Sequence, residues 1–162
     1  MQAAFAILDD DGPDGLTMRR LAHAVGIQAP SLYKHVRDKE ALEAALIEDV
    51  LFDIGETLHA AVVRPGRRGV AASVLKAYRA RSLELPHRYR LATRGRLRRD
   101  LLPAGLDEWA GQPFLLATGD PFRAQALWSF AHGMVSLEID GRYPDGSDLD
   151  RTWKAGATAF SR

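Results

Sequence analysis

The chain of 162 residues contains no cysteine. That absence excludes disulfides, iron–sulfur clusters, thiol catalysis and thiolate zinc sites together, and leaves any metal site to histidine and carboxylate. No apolar run of about 18 residues occurs, the length a membrane-spanning helix needs. The opening MQAAFAILDDDG is too short and too acidic for a secretory signal, so a cytoplasmic protein without a membrane partner is expected. Alternating apolar and polar segments bounded by hairpin turns are also missing, so nothing supports β-structure. His23, His35, His59, His87 and His132 show no metal-ligand spacing, DDDGPDG lacks the distal glutamate of a calcium loop, and no serine sits in a GxSxG turn. The expectation is of a protein that is not an enzyme and holds no metal and no cofactor.

What is present is helical spacing over most of the chain, with 46% hydrophobic residues, enough for a real core. A short first helix with Phe5 and Leu8 on one side stops at GPDG. Thr17 is an N-cap for a second helix ending at Val25 and Gly26, and Pro30 opens a third in which Leu32 and Val36 are one turn apart. Asp38 caps a long fourth helix, whose Leu42, Leu46, Val50, Ile54 and Leu58 recur every four residues until RPGRRG at 64–69. Val70 to Leu85 forms a fifth helix stopped by Pro86. A helix from Leu106 to about Thr118 is expected to be interrupted or kinked at Pro113. Pro121 to Ile139 reads as a helix buried on most sides, and Leu149, Trp153 and Phe160 outline a final amphipathic helix. The fold class is all-α.

The net charge of +1 conceals alternating blocks. Residues 1–15 carry −4, 16–39 carry +4, 40–63 carry −6, 64–99 carry +11 and the remainder −4. The large basic block is read as a solvated face that balances the acidic fourth helix by ion pairs between helices, with a further steering effect on a polyanion.

Three short helices, the last two joined by a tight turn at Gly26, form the arrangement of a helix-turn-helix DNA reader. In that arrangement Leu21, Val25, Leu32 and Val36 form the shared core, and Gln28, Ser31, Lys34 and His35 face the groove. The Tyr33 hydroxyl reaches a phosphate, while Thr17, Arg19 and Lys39 stand at helix starts, where backbone amides suit an anion. The segment LTMRRLAHAVGIQAPSLYKHVRDKEALEAAL resembles the DNA-binding segment of the TetR family of transcriptional regulators. The resemblance implies phosphate contacts at Thr17, Arg19, Tyr33 and Lys39, base-reading or groove-facing positions at Gln28, Ala29, Ser31 and His35, and Pro30 seating the recognition helix. It further implies a DNA-binding domain at 1–39, a ligand-binding and dimerising domain at 40–162, and a homodimer on a palindromic double-stranded DNA operator. A small-molecule effector releases the DNA, so that the most natural role is a repressor.

WSFAHG, with Trp128, His132 and Gly133, is similar to the Trp/His/Gly motif of one C-terminal class in that family. His132 reads either as a core histidine or as a polar anchor for ligand. By the family's architecture Phe52, Tyr78, Tyr89, Trp109, Phe114, Trp128 and His132 are ligand-binding candidates; periodicity alone makes the aromatic ones core. Leu127, Met134, Leu149 and Trp153 are the expected dimer interface. Because the chain begins nearer the motif than family members usually do, with no basic arm before the first helix, a second reading is a small-molecule-binding helical module with a weakened headgroup.

Overall fold

The computed structural model describes residues 1–161. Nine α-helices and no strand occur among them: α1 (Gln2–Gly15), α2 (Met18–Ala24), α3 (Ala29–Leu32), α4 (Lys39–Val63), α5 (Val70–Glu84), α6 (Pro86–Thr93), α7 (Leu106–Thr118), α8 (Pro121–Ile139) and α9 (Leu149–Phe160). The boundaries follow local chemistry. The Thr17 hydroxyl accepts from the Arg20 amide at 3.2 Å and caps α2, and the Asp38 carboxylate accepts from the Ala41 amide at 2.8 Å ahead of α4. After α2, Gly26 takes φ +70°. This lets the Ile27 amide reach the Ala22 carbonyl at 3.0 Å and its own amide reach that of His23 at 3.1 Å. Those two bonds are the paired closure of a helix C-terminus that a left-handed residue permits, and they set the tight turn before α3.

The first of two compact units comprises Met1–Phe52 and Leu85–Leu106. Its core gathers Ala4, Ile7, Leu8, Leu16, Met18, Leu21, Ala22, Leu32, Leu42, Leu46 and Leu91, with Val36 partly buried beside them. Helix α6 is pinned to α1 by Arg88, which donates to Asp9 through Nε and Nη2 at 2.8 and 2.6 Å and lies 4.1 Å above the Phe5 ring. Val25 does not join this core. It is the residue that ends α2 and is 45% exposed, because the turn carries it away from Leu21 and Leu32.

The second unit comprises Asp53–Glu84 and the chain from Asp107 onward. Here α7 is unbroken across Pro113, contrary to the expected interruption. A proline removes the bond to the carbonyl four residues earlier, that of Trp109. The His59 Nε2 atom lies 3.0 Å from that oxygen and supplies a donor when it carries the ring proton, while the two rings stack at 4.9 Å. Gly55, one turn before His59, leaves no room for a Cβ: one built there meets the Trp109 ring at 2.3 Å.

Helix α8 also differs from expectation. Ala124, Leu127, Ala131, Met134 and Val135 are buried, but the opposite face is open, with Phe122 79%, Trp128 46% and Leu137 43% exposed. Consequently Leu127, Met134 and Trp153, the residues expected to meet a second subunit, lie inside the unit, and Leu149 is half-buried. Beneath α8, Glu138 accepts from both Nε and Nη2 of Arg79 at 3.0 and 2.9 Å and from the Trp153 indole.

Candidate nucleic-acid interface

The helix-turn-helix surface is built by burying one side of three short helices and leaving the other to water. Leu16, Met18, Leu21, Ala22 and Leu32 point inward, whereas Thr17, Arg19, Gln28, Pro30, Tyr33 and His35 are exposed and Ala29, Ser31 and Lys39 half-buried. The third helix is only four residues long, and Tyr33 ends it with its ring in solvent. The Thr17 hydroxyl spends its acceptor on the cap and keeps its proton to donate. Arg19 and Lys34 form no ion pair among the described residues, and Arg20 is turned back onto Asp11. Lys39 leans on Glu43, one helical turn along, with Nζ 3.5 Å from the carboxylate. The groups expected to meet phosphate and those expected to meet bases therefore occupy one compact unit.

Part of the basic block is paired with acidic side chains. Within the first unit Arg94 donates to Asp14 at 3.0 Å and to Glu43 at 2.9 Å, and Arg98 donates to Glu40 and Asp100. Within the second, Arg81 grips Asp53 of α4 and Glu84. Bonds from Arg98 hold the Asp100 carboxyl at about 2, below the ordinary carboxylate range.

The expected ligand residues are divided between the two units. Phe52 and Tyr89 belong to the first unit, the former exposed and the latter buried. In the second unit Tyr78 meets the edge of Phe114 at 5.6 Å, and Trp109 sits on His59. Trp128 and His132 stack at 5.9 Å along the open side of α8. His59 has no linear motif to announce it; what marks it is the carbonyl that Pro113 leaves without its helical donor.

Burial lowers the His132 pKa from its ordinary 6.5. A histidine held neutral by the fold takes up its proton more readily when unfolded, so stability is expected to be constant above about pH 6.5 and to decline as pH falls below it. Melting temperatures between pH 8 and 5.5 test this: His132→Gln is expected to flatten the decline, and an unchanged slope would remove His132 as its source.

Short helices packed in this order, with an exposed turn and third helix, define a helix-turn-helix DNA-binding protein of the regulator class. Residues 1–46 match the bacterial regulatory proteins of the tetR family, and residues 71–160 match the tetracyclin repressor-like C-terminal domain. The chain belongs to the TetR family. It is 29% identical over 161 residues to the uncharacterised helix-turn-helix-type transcriptional regulator Rv0681 of Mycobacterium tuberculosis, covering 90% of this chain and 71% of the relative. A protein of unknown function from Rhodococcus sp. RHA1 shares the fold with TM-score 0.79 and 24% identity, over 98% of this chain and 89% of that one. A TetR variant from Acinetobacter baumannii AYE, solved in complex with minocycline, superposes with TM-score 0.65 and 25% identity, over 98% and 90% of the two chains. No helix among the described residues is long and apolar enough to cross a membrane.

Proposed function

We propose that the protein is a ligand-responsive repressor that binds a palindromic operator as a homodimer and is released by a small molecule. The observation that carries this reading is the outward set Thr17, Arg19, Gln28, Tyr33 and His35, with Lys39, on a headgroup whose inner side is fully packed. In this reading residues 1–39 read DNA and residues 40–162 bind effector and dimerise. Thr17, Arg19, Tyr33 and Lys39 hold phosphates, while Gln28, Ala29, Ser31 and His35, seated by Pro30, face the bases. Tyr33→Phe and Lys39→Ala are expected to weaken binding to every duplex and to flatten its salt dependence, whereas Gln28→Ala changes the preference between operators. Titrations of labelled duplexes at several salt concentrations check this, and a Gln28→Ala loss equal for all sequences would take Gln28 out of the base-reading set.

The subunit face lies on the open side of α8 rather than on the buried stripe. Phe122, Gln125, Ser129, Gly133 and Leu137 follow one another at helical spacing there, and a Cβ at Gly133 would meet nothing within 4 Å, which leaves space for a second helix to approach. Trp128 and His132 flank that line, and the Trp/His/Gly motif serves the contact. Tyr78, Trp109 and Phe114, with His59, are the effector-binding candidates. Support for an effector comes from the minocycline complex of the structural relative. Effector binding favours a conformer whose headgroups are wrongly spaced for the operator, with the unbroken α4 as the link. An effector that binds yet leaves operator affinity unchanged would end this mechanism.

A further inference from the structure

We propose that Arg94 and Arg98, on the segment after α6, act as a mask over Glu40 and Glu43 in the first turns of α4, and that this mask sets affinity for DNA. The proposal rests on the reading of Lys39 as a phosphate contact. Glu40 adjoins Lys39 in sequence, and Glu43 is one turn further on the same helix. Both carboxylates suit the positive end of the helix dipole, and both oppose an approaching phosphate. They lie within about one Debye length (~8–10 Å) of the groups around Lys39, so their charge is felt there unless neutralised locally.

The neutralising groups are in place. Arg94 Nη2 donates to Glu43 at 2.9 Å, against 3.5 Å for Lys39 Nζ on the same carboxylate oxygen. Arg98 donates to Glu40 while Asp100 fixes its guanidinium from the other side at 2.7 Å. All these residues lie in the first compact unit. With Arg94 absent, Glu43 has Lys39 alone as partner, and this pairing within the helix competes with phosphate for the ammonium. With Arg98 absent, Glu40 adds an uncompensated negative charge one residue from Lys39. Both losses act against DNA. Neither arginine needs to touch it.

A charge cycle separates this from direct contact. A labelled duplex of random sequence is titrated at about 0.05 M salt, where phosphate contacts dominate, with the full-length chain, Arg94→Gln, Arg98→Gln, Glu43→Gln, Glu40→Gln and the pairs R94Q/E43Q and R98Q/E40Q. Each arginine change is expected to weaken binding about threefold to tenfold. The paired glutamate change is expected to restore it, with a larger gain in the arginine variant than in the parent, and the differences should close at high salt. Losses that the glutamate changes do not repair would mean that the arginines touch phosphate themselves, and unchanged affinity would mean that they do nothing for DNA; either result overturns the mask. A parent chain that binds no duplex would instead overturn the DNA-binding reading, and the mask with it. Melting curves of the variants are expected to coincide, because Arg94 and Arg98 are exposed.

Discussion

Phe122→Glu combined with Leu137→Glu is expected to turn a dimer into a monomer and to lower operator affinity about a hundredfold to ten-thousandfold. Both side chains lie on the open face of α8, 79% and 43% exposed in the single chain, so the substitutions add charge outside the buried stripe of that helix. In a dimer the same residues of two copies come together around a two-fold axis, and each carboxylate is then desolvated beside its own copy. Losing the second headgroup removes the gain of binding two half-sites at once, which is worth about two to four powers of ten. Sedimentation and operator titration read the two effects together. A variant that stays dimeric would move the subunit face elsewhere, and a monomer with parental affinity would refute the need for two headgroups.

Arg79→Met is expected to lower the melting temperature by about 6–12 °C. Glu138 is only 7% exposed in its side chain and takes three hydrogen bonds, two of them from Arg79. The third comes from Trp153, over whose ring the guanidinium lies at 5.6 Å. Removing the arginine leaves a buried carboxylate with the indole alone, a loss of about 3 kcal/mol, and each kcal/mol shifts the melting point of a chain this long by about 2–4 °C. The bond to Asp150 adds little, since that carboxylate is open to water. Arg79→Met with Glu138→Leu is expected to recover most of the loss, because an apolar pair needs no compensating charge. If Arg79→Met melts with the parent, or the double variant melts below the single one, the buried pair does not hold α5 to α8.

How far the sequence discloses this molecule depends on whether a feature is local. Thr17 and Asp38 cap the helices they were expected to cap, and the ladder from Leu42 to Leu58 is buried throughout, because capping and helical spacing are written within a few residues. The basic block was legible as a block that balances acidic helices. Which arginine meets which carboxylate was not, since Arg88 and Asp9 or Arg98 and Glu40 are brought together only by packing. Helix α8 shows the limit most clearly. It carries apolar residues on two sides, and periodicity gives no means of deciding that Leu127 and Met134 face inward while Phe122 and Trp128 face outward. Pro113 does not interrupt α7 for a related reason: the carbonyl it leaves without an amide donor meets the His59 ring, 50 positions away in sequence. The outward residues of the headgroup were legible because they fall within one short segment, whereas the proposed effector candidates Tyr78, Trp109 and Phe114 are scattered over two helices.

The measurement that bears most directly on the central claim is selection from random duplex DNA at about 0.1 M salt, followed by titration of the enriched sequence against salt. An enriched palindrome whose half-sites are spaced by about one helical turn, roughly 34 Å, is expected, with a steep fall of affinity with salt. Binding without enrichment, or no binding at all, would contradict it.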